Sequence, residues 1–186
     1  TAVLLCAGLS RFVFPLISLE GRKFWILGLT PVSRDTILCG KFAFAATGSV
    51  LIAEGLILVS DVLLGLPPEA VAVHAAAVAV VALGLSALNV GLGAVLPNFR
   101  ETDPSKVVVG FGGTVNMVIG LGYLLAVIAL MVVPYHTAQL ARATRSVDAA
   151  VSPLVYAGIP IGLALGGAAV VLPLRAGARA LRGVEF

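Results

Sequence analysis

Residues 71–96 read VAVHAAAVAVVALGLSALNVGLGAVL and contain no Asp, Glu, Lys or Arg. A helix that spans a membrane needs about 20 mostly apolar residues, and this run exceeds that length. Polar and apolar residues do not alternate in it, and it is too long for a barrel strand. The run therefore predicts a helix that crosses a lipid bilayer. Three further runs predict the same: residues 42–64, 107–133 and 153–174.

The composition of the whole chain also favours lipid as its solvent. Of the 186 residues, 60% are hydrophobic and 11% are charged, and the mean hydropathy is +1.10. Soluble domains carry about 25% charged residues, so this chain has too few polar groups to cover a globule in water. An ordinary soluble enzyme, a disordered chain and a secreted disulfide scaffold are excluded. We predict one all-α domain over residues 1–186, a polytopic bundle of transmembrane helices.

The first apolar run, residues 1–18, has a different character from the other four. It is interrupted by Arg11, and neither a basic segment nor a small-residue cleavage site marks it as a signal peptide. We interpret it as a fifth span that the sequence enters partway. The chain is therefore expected to be the C-terminal fragment of a longer protein, with about five spans.

The basic residues predict which side of the membrane each loop faces. Nine of them flank one side of the spans and two flank the other. Because cytoplasmic loops carry the excess of Lys and Arg, residues 19–41, residues 97–106 and the C-terminus are predicted to be cytoplasmic. Residues 65–70 and 134–152 are predicted to face outward, the latter as an outer loop with room for a short helix. The net charge of +3 therefore indicates how the chain is oriented in the membrane. No nucleic-acid partner is expected.

Residues 18–41 read SLEGRKFWILGLTPVSRDTILCGK and mix charged with apolar side chains, as an interfacial helix does. Trp25 suits the level of the lipid headgroups. Pro31 is expected to end this helix, since proline cannot continue one. Ser33 is expected to cap the next helix, and Lys41 to anchor the cytoplasmic end of the following span.

This segment resembles the cytoplasmic loop in the permeases of type-2 ATP-binding-cassette exporters. That loop carries an acidic residue, an apolar pair, Pro-hydrophobic-Ser-Arg, and then Gly-Lys at the start of the next helix. Here Glu20 precedes Pro31 by 11 positions and Lys41 follows it by 10, which is similar to the family. Residues 11–22, RFVFPLISLEGR, resemble a branch of bacterial exporters. The Gly-Thr that commonly follows the acidic residue is missing, because Gly21 follows Glu20 directly.

The resemblance implies that residues 19–34 form a coupling helix that docks on a separate ATPase subunit. The chain would be an exporter permease in the cytoplasmic membrane of a prokaryote, paired with an identical or different permease half. It contains no Gly-x-x-x-x-Gly-Lys-Ser/Thr loop, so it would not be an enzyme, and no cofactor is expected. The simpler alternative is an interfacial helix that only anchors the bundle. The residues implied in ATPase coupling are Glu20, Gly21, Arg22, Trp25, Pro31, Ser33, Arg34 and Lys41.

Two charged residues are predicted to lie inside the membrane. Glu54 lies 13 positions beyond Lys41, about 20 Å along a helix and well inside a core about 30 Å thick. Arg11 lies nine positions before Glu20, roughly 14 Å from the same surface along a helix. Since an isolated charge is costly at such depth, we predict that Arg11 and Glu54 pair between helices. The alternative is that Glu54 handles a substrate or a proton.

Other side chains predict helix packing. Asn89 and Asn116 lie among small residues at helical spacing, which is typical of helix contacts with a hydrogen bond across them. The alternative is that these two side chains line a conduit through the membrane. Gly158, Gly162 and Gly166 recur every four positions and predict a close-packing face. Thr47, Glu54 and Asp61 recur every seven positions and predict a polar stripe. 

The sequence offers no catalytic set and no metal site. His74 and His136 are far apart in the sequence and have no evident carboxylate partner, so they do not predict a metal site. The two cysteines lie in or beside apolar runs and do not predict a disulfide framework or a metal site. The alternatives to a permease are half of a secondary transporter and a non-transporting membrane scaffold. A transporter driven by ion gradients would be expected to carry paired broken helices or several buried acids.

Overall fold

A computed structural model describes residues 8, 11–19, 33–98, 101, 103–143 and 153–183. The regular elements of these residues are all helices, so the all-α prediction is confirmed. A 3₁₀ turn at Phe14–Leu16 precedes them, and a π-helical turn at Ile128–Val132 joins the fourth to the fifth. The helices are α1 (Arg34–Leu63), α2 (Pro68–Val95), α3 (Pro104–Val109), α4 (Phe111–Val127), α5 (Val133–Ala143) and α6 (Pro153–Arg182).

Within the described ranges, four helical runs are long and apolar enough to cross a membrane. They correspond to the four full-length runs predicted from the sequence. Half of the predicted fifth span, residues 1–18, lies outside the described residues, and its second half contains the 3₁₀ turn at Phe14–Leu16. The four runs are Arg34–Leu63, Pro68–Val95, Phe111–Ala141 and Ala157–Arg182.

The outward faces of these helices are strongly apolar. Phe44 and Val62 on α1, Phe111 on α4 and Leu172 on α6 are all exposed. Soluble monomers rarely expose contiguous apolar surface of this extent. Lipid is therefore the solvent for these faces, and the chain is a membrane protein.

Helix α2 is the centre of the bundle. It packs against α1, α4 and α6, and nearly all of its second half is buried. Small residues allow this approach: Gly91 of α2 faces the backbone of Pro173, and Gly166 of α6 faces Val80. Close backbone contact of this kind stabilises helix pairs in lipid by van der Waals packing.

The predicted close-packing face of α6 is confirmed. Gly158 lies against the carbonyl oxygen of Leu130, Gly162 against the side chain of Met131, and Gly166 against Val80. The three glycines thus fit α6 to α2 and to the irregular turn that follows α4.

That turn allows the chain to stay helical past Pro134. Proline has no N–H, so Pro134 cannot donate to the carbonyl of Leu130. Instead the Val133 N–H donates to Ile128, five residues back, and the helix continues to Ala143. The outer segment predicted at residues 134–152 is therefore helical as far as Ala143, and its remainder lies outside the described residues.

A tight turn reverses the chain between α1 and α2. Gly65 has a φ of +64°, the left-handed region that glycine adopts without strain, and the Leu66 N–H donates to the Asp61 carbonyl at 3.1 Å. Pro67 and Pro68 then begin α2, where a missing N–H costs nothing. The turn places the end of α1 directly beside the start of α2.

Candidate functional site

Polar side chains gather at the two ends of the bundle. We call one the basic end, formed by the start of α1, the end of α6 and residues 11–19. We call the other the turn end, formed by the α1–α2 turn and α5.

The start of α1 is capped as the sequence predicts. The Ser33 Oγ accepts a hydrogen bond from the Thr36 backbone N–H at 3.1 Å, which satisfies one of the N–H groups that a helix leaves unpaired at its start. Asp35 lies in the first turn, where a negative charge is favoured by the helix dipole. The beginning of α1 is therefore well defined.

Side chains of α1 join this start to the end of α6. The Arg34 guanidinium donates to the Leu181 carbonyl at 2.5 Å and to the Arg182 carbonyl at 3.4 Å. The last carbonyls of a helix have no partner within it, so Arg34 acts as a cap. In return, the Arg182 Nε donates to Asp35 Oδ1 at 3.2 Å. We call these four residues the α1–α6 clamp.

Residues 11–19 are held at the same end. The Lys41 ammonium donates to the Leu16 carbonyl at 3.3 Å. The backbone N–H of Asn98, just after α2, donates to the buried Ser18 hydroxyl at 3.0 Å. The segment is thus fixed to α1 and to the end of α2.

Hydrogen bonds also cross between helices in the interior of the bundle. The Asn116 amide of α4 donates to Asn89 Oδ1 of α2 at 2.8 Å, so the predicted helix contact is present. The hydroxyls of Ser49 and Ser86 lie 2.8 Å apart and join α1 to α2. The Tyr123 hydroxyl donates to the Val80 carbonyl at 2.7 Å.

The turn end contains a cluster that the sequence analysis missed. His74 Nδ1 of α2 lies 2.9 Å from Asp61 Oδ2 of α1. His74 Nε2 lies 2.8 Å from His136 Nε2 of α5. The prediction that the two histidines stay apart without a carboxylate partner is wrong. Asp61 is 2% exposed, whereas the His136 residue is exposed. We call these three residues the His–Asp cluster.

The sequence held a signal for half of this cluster. In the sequence, Asp61 and His74 lie the same number of residues before and after the midpoint of the Pro67–Pro68 pair. A tight turn at this pair therefore brings the two side chains opposite each other. The His136 contact required a helix that continues through Pro134. Among the described residues, no group of three or more His, Cys, Asp or Glu is arranged to hold a metal ion.

A family model described as "Putative ATP-binding cassette" matches residues 1–186 of this sequence. The chain belongs to this family. Comparisons with curated proteins and with solved structures found no match. Family membership places the protein among ATP-binding-cassette systems, and its four long apolar helices place it in a membrane.

In this family member, the residues predicted to couple to an ATPase fall into two groups. Ser33, Arg34 and Lys41 lie together at the basic end, where each makes the contacts given above. The other five and the predicted helix at residues 19–34 lie outside the described residues, except for the ends of that range. The five are Glu20, Gly21, Arg22, Trp25 and Pro31.

The predicted ion pair between Arg11 and Glu54 is not formed. Arg11 is exposed beside Pro104 and Ser105 at the basic end, while Glu54 Oε1 is buried without a hydrogen-bond partner. The depth assigned to Arg11 assumed one helix from there to Glu20. Instead, a 3₁₀ turn containing Pro15 interrupts the segment.

The three residues of the polar stripe predicted on α1 have different surroundings. Asp61 is buried against α2, whereas Thr47 is exposed. A straight helix turns by about 20° for every seven residues relative to a perfect repeat, so positions seven apart drift around it. Over two such steps the drift is about 40°, so Thr47 and Asp61 still lie on one side of α1 and differ in what packs against that side.

Proposed function

We propose that this chain is the membrane-spanning permease subunit of an ATP-binding-cassette exporter. In this proposal a separate ATPase subunit hydrolyses ATP, and the chain, with a second permease half, uses that energy to export a substrate. The family match, the four apolar helices and the lack of a phosphate-binding loop in this sequence all support it. The basic end and the C-terminus would face the cytoplasm of a prokaryotic cell, because the Lys and Arg residues concentrate there.

The observation that carries the proposal is the α1–α6 clamp. Residues 19–34, the proposed coupling helix, run directly into α1. The first turn of α1 is fixed to the end of α6 by Arg34 and Asp35, and its third turn is fixed to residues 11–19 by Lys41. A displacement of the coupling helix would therefore move α1, α6 and residues 11–19 together. This is the linkage that transmission from an ATPase to the membrane helices requires.

The first prediction concerns docking of the ATPase. A Glu20→Lys substitution and a Pro31→Ala substitution should each weaken association with the ATPase subunit by at least about tenfold, the cost of losing one interface hot spot. The measurement is the ATPase activity that co-purifies with the tagged full-length protein from membranes of its own host.

Glu69→Lys is the matched control for this experiment. Glu69 is an exposed carboxylate at the start of α2, at the opposite end of the bundle, and its substitution should leave co-purification unchanged. Loss of ATPase with this control variant, or no loss with the other two, would count against docking at residues 19–34. Substrate movement by the purified protein without any ATPase would favour a secondary transporter instead.

The second prediction concerns transmission through the clamp. Asp35→Arg should leave the ATPase bound, since it changes α1 and not the proposed docking helix. It should reduce substrate-dependent ATP hydrolysis, because Arg182 then faces a like charge. The double variant Asp35→Arg with Arg182→Asp should restore hydrolysis, as it rebuilds the ion pair in reverse. A double variant that remains as impaired as the single one would argue against a role for this pair in transmission.

A further inference from the structure

Three helices each contribute one side chain to the His–Asp cluster. Asp61 comes from α1, His74 from α2 and His136 from α5. The hydrogen bonds run from an exposed imidazole through a partly buried one to a carboxylate whose side chain is 3% exposed. Nothing else in the proposed coupling mechanism uses these residues, and they lie at the opposite end from the α1–α6 clamp.

The geometry between the two histidines is that of a hydrogen bond. Their Nε2 atoms are 2.8 Å apart, and the ring centroids are 5.1 Å apart. Those two distances fit imidazoles that point their Nε2 atoms straight at each other. Two imidazoles on one tetrahedral metal, with bonds of about 2.0 Å, would hold their nitrogens about 3.3 Å apart. A proton therefore fits between the two rings better than a metal ion does.

The hydrogen bond between His74 and His136 depends on how many protons the His–Asp cluster holds. With both histidines neutral, His74 donates its Nδ1–H to Asp61, and its Nε2 accepts from the Nε2–H of His136. A first added proton makes His74 an imidazolium, which can donate to both neighbours. A second proton leaves an N–H on both Nε2 atoms, so neither can accept. The two positive rings then repel each other, and the contact breaks.

The surroundings offer little to offset that second charge. Arg142 also lies on α5, and among the side chains that the structure describes at the turn end the other titratable groups are Glu69, exposed in the first turn of α2, and Tyr135. The Tyr135 ring meets His136 edge-on at 5.4 Å between centroids, and its hydroxyl accepts from Gln139 at 3.0 Å. From Ala157 to Leu174, α6 has no titratable side chain. Asp61 already accepts from His74.

We propose that Asp61, His74 and His136 form an acid-released latch. At neutral pH the latch binds α5 to the α1–α2 turn, and uptake of a second proton lets α5 separate from it. The charge of an ordinary histidine side chain changes between about pH 8 and pH 5, so these two pH values bracket the test. If the turn end faces outward, as proposed above, acidity outside the cell would open this end. The latch itself does not depend on the ATPase proposal.

Distances between a spin label just after α1 and another on α5 test the latch. Labels are attached to cysteines that replace the exposed residues Leu64 and Leu140, after Cys6 and Cys39 are changed to serine. The protein is placed in lipid vesicles, and the distance distribution is measured at pH 8 and pH 5. For the otherwise unchanged chain we expect a shift of several ångströms towards longer distances at pH 5.

Two variants of His136 make the test decisive. His136→Gln keeps an N–H donor for His74 but cannot take up a proton, so short distances should persist at both pH values. His136→Leu removes the donor, so long distances should appear at both. The latch is overturned if the unchanged chain shows no shift, or if His136→Gln shifts as the unchanged chain does. Should His136→Leu fail to fold, the comparison with His136→Gln still decides.

Discussion

A Gly158→Ala substitution is expected to destabilise the bundle by about 1 to 3 kcal/mol, the cost of overpacking a close contact. The added Cβ would collide with the carbonyl oxygen of Leu130. That oxygen belongs to the π-helical turn before Pro134, whose backbone is already adapted to the missing N–H. Since the obstacle is backbone and not the end of a flexible side chain, α6 would have to move away from the turn.

Gly167 provides a control on the same helix. A Cβ there would meet no heavy atom within 4 Å. Alanine is favoured over glycine in a helix by about 0.8 to 1 kcal/mol. Gly167→Ala should therefore stabilise the bundle, whereas Gly158→Ala should destabilise it. The midpoint of thermal unfolding in detergent, followed by circular dichroism, gives both signs. If the two substitutions shift the midpoint in the same direction, close packing at Gly158 is not what holds α6.

The features predicted correctly from the sequence are those that depend on residues close together along the chain. The spans follow from the length and apolarity of each run, and the Ser33 cap follows from its position just before Asp35 and Thr36. The spacing of Gly158, Gly162 and Gly166 defines a face without any knowledge of its partner. Each of these signals lies within one helix, where geometry is fixed by the helical repeat.

The features that the sequence did not reveal depend on how helices meet. Counting residues gave Arg11 and Glu54 similar depths, but depth does not say which helices are neighbours or which faces they turn to each other. The His–Asp cluster required two events, a reversal at Gly65 and a helix that persists beyond Pro134. The second contradicts the usual effect of proline, and only the π-helical turn makes it possible.

The hydrogen bond between Asn89 and Asn116 leads to the other prediction with a large effect. Both side chains are 1% exposed, and the Asn89 amide is already used, because it donates to the Leu85 carbonyl at 2.6 Å. Asn116→Leu removes the donor to Asn89 Oδ1 and leaves that oxygen in an apolar interior. Hydrogen bonds between membrane helices contribute about 0.6 to 2 kcal/mol, and we expect a loss of this size in the free energy of unfolding.

Two further variants separate the hydrogen bond from a general effect of polarity. Thr114→Val replaces an exposed polar side chain of α4, whose hydroxyl donates to the Gly110 carbonyl one turn back at 3.2 Å. It should change stability by less than about 0.5 kcal/mol. Combining Asn89→Leu with Asn116→Leu leaves no unpaired polar atom at the contact, so the double variant should lose less than the two single losses together. Strictly additive losses would mean that the two amides stabilise the bundle independently, and that the hydrogen bond between them does not hold α2 to α4.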